Sequence, residues 1–506
     1  MTDASVLIVG AGPTGLVLAL WLTKQGVPVR IIDKTAEPGT TSRALAVHAR
    51  TLELYEQLDL ARAVVEKGYT VPGVRLWLKG REAARVPFEQ IVSDLTPYGF
   101  LHILPQDEHE RLLIERLERL GVQVERSTEL TAFTDEGGRI DATLRGPDGV
   151  ESQANAAYIA GCDGARSKVR EVMDAGFPGG TYPQIFYVAD VAGEGPPFNG
   201  DLNGDLDKSD FLAIFPLADK GRVRLIGTIR TGESKDADKL TFDDISDQAV
   251  HGLRLKIARV NWFSTYHVHH RVADRFRRGR AFLLGDAAHI HTPAGGQGMN
   301  TGIGDAINLA WKLQAVLAGR APDVLLDTFE AERRAFALRL VRTTDRFFNV
   351  AATEGHLAEF VRTRIAPLVL PQVVKFEAAR NYIFRTISQI TLNYRSKGLD
   401  QGRAGSVHGG DRLPWVKIGE NDNYGALKHI GWQVHVYGDA QAKLKTWCQD
   451  RRIPLRLFAW SPANNDAGLR KNAMYLIRPD AYVAVAESTQ DVALLERFFA
   501  KTHIRP

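Results

Sequence analysis

Two short apolar runs flank a glycine-rich turn near the start of the chain, and this pattern narrows the possible folds more than any other. Residues 6–9, Val-Leu-Ile-Val, suit a strand buried in a parallel sheet. Gly10-Ala11-Gly12-Pro13-Thr14-Gly15 follows at once. Residues 16–25 read as a helix stopped by Gly26, and residues 29–32 as a second strand ending at Asp33. The pattern predicts a βαβ unit of the α/β class with a dinucleotide fingerprint on its first turn. Gly10 permits the tight turn, Gly12 lets a pyrophosphate approach the backbone, and Gly15 lets helix and strand pack closely. The helix N-terminus offers free N–H groups to the phosphates, and Asp33 is placed to accept hydrogen bonds from a ribose diol. The run over residues 6–22 also invites a membrane or signal-peptide reading. It is shorter than the ~20 residues a spanning helix needs, carries glycines in its middle, and follows one acid, Asp3, with no basic residue. No membrane partner is expected.

Composition sets the scale. The chain has 506 residues, which at about 150 residues per domain predicts roughly three domains. Lys+Arg is 64 and Asp+Glu is 60, a net charge of +4. So small a surplus gives no reason to expect nucleic acid as a partner. Two cysteines, Cys162 and Cys448, exclude a disulfide framework and point to a cytoplasmic protein.

The fingerprint does not say which dinucleotide binds, but two later motifs do. Tyr158-Ile159-Ala160 leads into Gly161-Cys162-Asp163-Gly164, with Arg170 beyond. Ala281-Phe282-Leu283-Leu284 leads into Gly285-Asp286-Ala287-Ala288-His289, then Pro293, Gly295-Gly296-Gln297-Gly298-Met299-Asn300, and a helix expected from about Gly302 to Leu317. The glycine-rich turn can converge N–H groups on an anion, and the helix it opens adds its positive end. With GxGxxG, Asp163-Gly164 and Gly285-Asp286 in this order, the chain resembles the class A flavoprotein aromatic hydroxylases, the p-hydroxybenzoate hydroxylase-like FAD-dependent monooxygenases.

The resemblance implies an α/β fold: a Rossmann-like FAD-binding domain (residues 1–175 and 272–345) with an inserted antiparallel-sheet substrate domain (176–271). A helical linker (346–404) would lead to a C-terminal thioredoxin-like domain (405–506). Cys448 stands alone, without a CxxC, so that last domain is expected to be redox-inert. Non-covalent FAD would be held by Gly10, Gly12, Thr14, Gly15, Asp33, Lys34, Asp163 and Asp286. The turn from Pro293 through Gly295, Gly296, Gln297, Gly298, Met299 and Asn300 would wrap the flavin. By position, Arg43, Gln106 and the backbone of Leu130 join them. Residues 193–209 read as a loop. Arg271 is expected to be structural, pairing with Asp274 or Asp305. His289 and His291 have no metal-site spacing, and no metal is expected.

Only one dinucleotide fingerprint is present, so NADPH or NADH would bind transiently beside the flavin. The resemblance implies that NAD(P)H and O₂ hydroxylate a small aromatic substrate, phenolic or polycyclic, through a flavin C4a-hydroperoxide. The sequence singles out no catalytic acid or base, and leaves monomer or homodimer open. A flavin-dependent reductase or dehydrogenase on the same scaffold, and a non-catalytic flavin-binding sensor, are the competing readings. A flavin-dependent halogenase would typically carry WxWxIP, which this chain lacks.

Overall fold

The computed structural model describes residues 4–39, 44–78, 80–88, 95–205, 212–229, 240–244, 252–292, 296–352 and 376–506. Arg43, Pro293 and Gly295 lie outside these residues. The first sheet has a parallel core in the order Ala281–Leu283, Glu151–Gly161, Ala4–Val9, Val29–Ile32 and Val124–Glu125. The helix Pro13–Lys24 starts on proline, whose missing N–H costs nothing there. It is apolar on every side because it lies between this sheet and the long helix Gln297–Leu317; residues 15–22 are all buried.

The second sheet is built on Gly179–Glu194, paired antiparallel with Arg222–Ile229 and Lys256–Val272. Its side chains alternate between two cores. Tyr187, Ala189, Val191 and Leu225 fill one. Val188 and Ile226 face the other, with Phe215, Trp262 and Tyr266 beside them. Two features depart from the linear reading. The segment read as a loop over 193–209 contains a strand, Leu202–Asp205. That strand pairs with Gly73–Leu78, which pairs in turn with Arg81–Pro87, so part of the 1–175 segment extends the second sheet. Such pairing joins residues more than a hundred positions apart and leaves no local periodicity to read.

Beyond the helices Asp327–Ala352 and Glu377–Ile387 lies a third sheet. Gln433–Tyr437 and Leu455–Phe458 run parallel, joined through the helix Ala442–Asp450. Met474–Ile477 and Val483–Glu487 add antiparallel, and the helix Val492–Thr502 closes the unit. Among the described residues, no helix is long and apolar enough to cross a membrane.

Candidate active site

Three turns meet at one edge of the first sheet. Val9 is in register with Gly161, and Gly161 with Leu283. The turns that follow these strands, at Gly10, Cys162-Asp163 and Gly285-Asp286, are therefore neighbours at the carboxyl ends of three adjacent parallel strands. Open α/β sheets bind their ligands at this edge.

The glycines of the first turn are not equivalent. Gly10 has φ +104°, and a Cβ there would overlap the carbonyl oxygen of Cys162. At Gly15 a Cβ would overlap the carbonyl oxygen of Gly10. At Gly12 no atom beyond its chain neighbours lies within 4 Å of where a Cβ would stand. Two of the three are required by the protein's own packing; the third borders open space. Asp33 is held in place, its Oδ2 accepting from Ala11 N–H at 2.7 Å and its Oδ1 from Thr35 N–H at 2.8 Å. Lys34 beside it is exposed. Thr128 donates its N–H to the Asp33 carbonyl at 2.9 Å, which brings the strand carrying buried Leu130 alongside. Thr14 packs inward, against the bare Cα atoms of Gly285 and Gly302, and so locks the first turn to the third.

Asp163 has a capping role: Oδ2 accepts from the N–H groups of Lys168 at 2.7 Å and Val169 at 3.2 Å. Its Oδ1 is enclosed with no hydrogen-bond partner. Burial raises the carboxyl's pKa against the lowering effect of those bonds. Asp286 sits exposed on the turn Gly285–Ala287.

The long helix begins at Gln297, five residues before the expected Gly302, because Gly296 adopts φ +62° and starts the helix without a side-chain cap. Its first N–H groups thus have neither an intrahelical acceptor nor a side chain from the cap residue. Gln297 is buried and Gly298 and Met299 are half-buried in that first turn. Asn300, expected on the cofactor, uses its whole amide within the protein. Nδ2 donates to the Ala46 and Gly296 carbonyls, and Oδ1 accepts from His48 N–H and Thr51 Oγ1, all within 3.0 Å. Only its backbone is left to face a ligand. Gln106 begins the helix Gln106–Arg119 and donates to Glu110 Oε1 at 2.8 Å.

Beneath the third turn lies a residue that linear reading named only as a partner for Arg271. Asp305 is fully buried, and its Oδ2 accepts from Gly285 N–H at 3.0 Å and His289 Nε2 at 2.7 Å. Its Oδ1 accepts from Arg333 Nε at 2.6 Å. Burial would raise this carboxyl, but the Arg333 charge and the hydrogen bonds from His289 and Gly285 outweigh it and hold it low. The expected pairing with Arg271 does not form: Asp305 is taken by Arg333 and His289, and Asp274 pairs with Arg275. A signal was present in the sequence. Thr301, Asp305, Asn308 and Lys312 recur at helical spacing along an otherwise apolar helix, and all four are buried.

The second sheet supplies a wall. Val188 and Ile226, with Phe215, Trp262 and Tyr266, pack with Leu45 and Ala46. Ala46 is the residue that a Cβ on Gly296 would strike, at 2.7 Å. The aromatic face therefore reaches the start of the long helix. One ion pair lies in it, Arg224 gripping Asp190 through Nε at 2.5 Å and Nη2 at 2.8 Å.

Residues 3–344 match the FAD binding domain family. The chain belongs to that family. It is 37% identical to the 6-methylpretetramide 4-monooxygenase of Streptomyces rimosus, across 99% of this chain and 94% of that one. It is 31% identical to the pentachlorophenol 4-monooxygenase of Sphingobium chlorophenolicum, across 82% and 76%. The structure of the anhydrotetracycline hydroxylase OxyS from Streptomyces rimosus superposes with a TM-score of 0.79 at 28% identity, covering both chains fully. The protein is an FAD-dependent monooxygenase of the aromatic-hydroxylase type, with the α/β fold expected of it.

Proposed function

We propose that this monooxygenase uses NADPH or NADH with O₂ to hydroxylate a polycyclic aromatic substrate, bound between the Trp262–Tyr266 face and the turn at Gly296. The observation that carries it is the meeting of three turns at one sheet edge, with a broad aromatic wall beside them. FAD, when bound, supplies the oxygen-activating chemistry. The residues fit it. Gly12 leaves open space where a pyrophosphate would approach, Asp163 Oδ1 is an enclosed acceptor without a partner, and the long helix starts uncapped. Asp33 and Lys34 would hold the ribose, with the Leu130 backbone near the adenine. Asp286 would take a ribityl hydroxyl, and the N–H groups of residues 297–300 would face the flavin's anionic edge. Arg43, Gln106, Pro293 and Gly295 are assigned to the same cofactor by position.

The protein's own contribution is orientation and exclusion of water, by which an activated oxygen is kept for the substrate. One dinucleotide fingerprint supports a nicotinamide that visits the flavin without a domain of its own. Relatives that act on 6-methylpretetramide and anhydrotetracycline favour a polycyclic substrate. The pentachlorophenol relative favours a small phenol as the second reading. For residues 405–506, the strand order Val483–Glu487, Met474–Ile477, Gln433–Tyr437, Leu455–Phe458 supports a thioredoxin-like unit. Both cysteines are unpaired, which supports a reducing, cytoplasmic setting.

The test is a purified protein that is yellow, releases its flavin on acid precipitation, and consumes NAD(P)H and O₂ with product formed. Tricyclic and tetracyclic phenols should give hydroxylated product. Hydroxylation of monocyclic phenols alone would defeat the polycyclic assignment, and product formation without O₂ would restore the reductase reading.

A further inference from the structure

The turn that carries Asp286 is held from below by a relay that begins in the C-terminal part of the chain. Asp305 grips both ends of that turn: Oδ2 takes the Gly285 N–H and the His289 ring N–H, so one carboxylate spans residues 285–289. Gly285 itself stands at φ +57°, which glycine adopts without strain and a side chain would not. The other oxygen of Asp305 is taken by Arg333. Arg333 is buried and uses all three of its nitrogens, two on the long helix and one on Tyr394. Nε goes to Asp305, Nη2 to the Thr301 carbonyl at 3.0 Å, and Nη1 to the Tyr394 hydroxyl at 2.9 Å. Thr301 and Asp305 both lie on the long helix, so the guanidinium fixes the Asp305 carboxylate against the helix start, and that carboxylate in turn holds the Asp286 turn. Tyr394 is fixed in turn by the C-terminal sheet. Its N–H donates to the Gly410 carbonyl at 2.7 Å, and its ring lies 4.3 Å from that of Tyr482.

We propose that Arg333 is a positioning residue for the flavin site, setting the Asp286 turn against the helix start, and that Tyr394 extends this hold to the C-terminal domain. This rests on the FAD assignment above. Preorganised sites owe their precision to such supporting groups, whose loss loosens a site without dismantling the fold. A planar fork can hold three acceptors at fixed angles, and a lysine ammonium cannot reproduce that geometry. Arg333→Lys keeps the charge beside Asp305 and removes the fork.

The experiment uses the full chain. FAD affinity is measured by fluorescence quenching well below the melting temperature, with the visible circular dichroism of the bound flavin and the melting temperature of apoprotein beside it. Arg333→Lys is expected to weaken FAD binding about tenfold, equivalent to about 1.4 kcal/mol, and to alter the flavin's dichroism. Tyr394→Phe, which removes one hydroxyl and no charge, should do both to a smaller degree, about threefold, with the apoprotein still fully folded at the assay temperature. If Arg333→Lys does not fold, Tyr394→Phe decides alone. Wild-type affinity and dichroism in Tyr394→Phe overturn the hold through Tyr394. A folded Arg333→Lys that melts lower but binds FAD as wild type overturns the positioning role itself. Wild-type protein that takes up no FAD defeats the cofactor assignment instead.

Discussion

The turn after the first strand and the charged seam under the long helix border the same site, yet they are made of opposite materials. The turn is backbone against backbone. Gly10, Cys162 and Gly15 approach so closely that no side chain fits at either glycine. The seam is side chain against side chain. Asn308, Lys312, Glu332, Arg478 and Asp480 are all buried, and their hydrogen bonds run between 2.6 and 3.0 Å. Trp311 joins it through Asp480, and Arg50 through the Asp480 carbonyl. The turn leaves open space beside Gly12. The seam fastens the C-terminal sheet to the long helix. The difference teaches what each tolerates: the turn has no room for a methyl group at Gly10 or Gly15, and the seam has no tolerance for a missing charge.

The comparison breaks most sharply at the glycines. Gly15→Ala puts a Cβ onto the Gly10 carbonyl oxygen, where neither backbone can retreat. Its expected cost lies at the upper end for single substitutions, about 4 kcal/mol, visible as lost soluble protein or a large drop in melting temperature. Gly12→Ala meets nothing in the protein, so apoprotein should melt as wild type while FAD binding is lost or severely weakened. A Gly12→Ala protein that stays yellow with wild-type affinity would show that the pyrophosphate does not pass there.

The seam should fail nearly as hard, in a different way. Burial alone would raise Glu332, but Arg478 and Lys312 outweigh it and hold its pKa at about 2. Arg478→Met leaves Glu332 and Asp480 buried with too little positive charge. Breaking one partner of a buried pair typically costs about 3–5 kcal/mol. Because the seam joins the C-terminal sheet to the long helix, the two should loosen together, and limited proteolysis should cut the variant around residues 395–405. A variant that melts as wild type would show that the seam adds nothing to the docking.

These two regions differ as much in how they were legible. The turn announces itself in six consecutive residues, since glycine spacing and apolar runs are local properties. Residues 29–32 were readable for the same reason. The seam draws on residues 50, 308–312, 332 and 478–480, and no local pattern links Arg478 to Glu332 before folding does. The stripe on the long helix could have been found, but polar residues at helical spacing usually mean a solvated face; here the stripe is the buried one. Within the site, the flavin-wrapping turn assigned Asn300 to the cofactor without showing that its amide would be used on residues 46–51 and 296, leaving only its backbone for a ligand.

Acid sharpens the contrast between sites that bind charge and cores that refuse it. His109, against the Tyr55 hydroxyl at 2.8 Å, and His435, in the C-terminal sheet, are both fully buried. Burial, with smaller pushes from His102 and Arg456 respectively, lowers each ring from 6.5 to about 3. An unfolded chain protonates these rings below pH 6.5, and the folded chain does not until about pH 3. Their contribution is therefore complete above pH 6.5 and is lost as pH falls toward 3. At pH 5 the loss is about 2 kcal/mol for each ring. Denaturant melts between pH 7 and 5 should show this slope, and His435→Gln should remove about half of it. A slope unchanged in that variant would mean the ring is protonated inside the fold.

The smallest effect belongs to Cys448, the one cysteine of the C-terminal sheet's unit. It lies in the helix Ala442–Asp450, buried, and burial pushes its thiol up to about 12. A thiol so poorly ionised is a weak nucleophile, and Cys162, likewise raised by burial and held against the first turn at Gly15, sits in the other sheet's turn. No dithiol couple is formed between them. Cys448→Ser should cost about 1 kcal/mol for a buried hydroxyl in place of a thiol, with NAD(P)H-coupled hydroxylation within about twofold of wild type, a change that corresponds to only a few tenths of a kcal/mol at the barrier. Thiol-alkylating reagents should likewise leave turnover of the native enzyme unchanged. A large loss of turnover in folded Cys448→Ser would give the C-terminal domain a redox role. The Arg478–Glu332 seam would then be more than a fastening, since electrons or a thiol would have to reach the flavin from the side it closes.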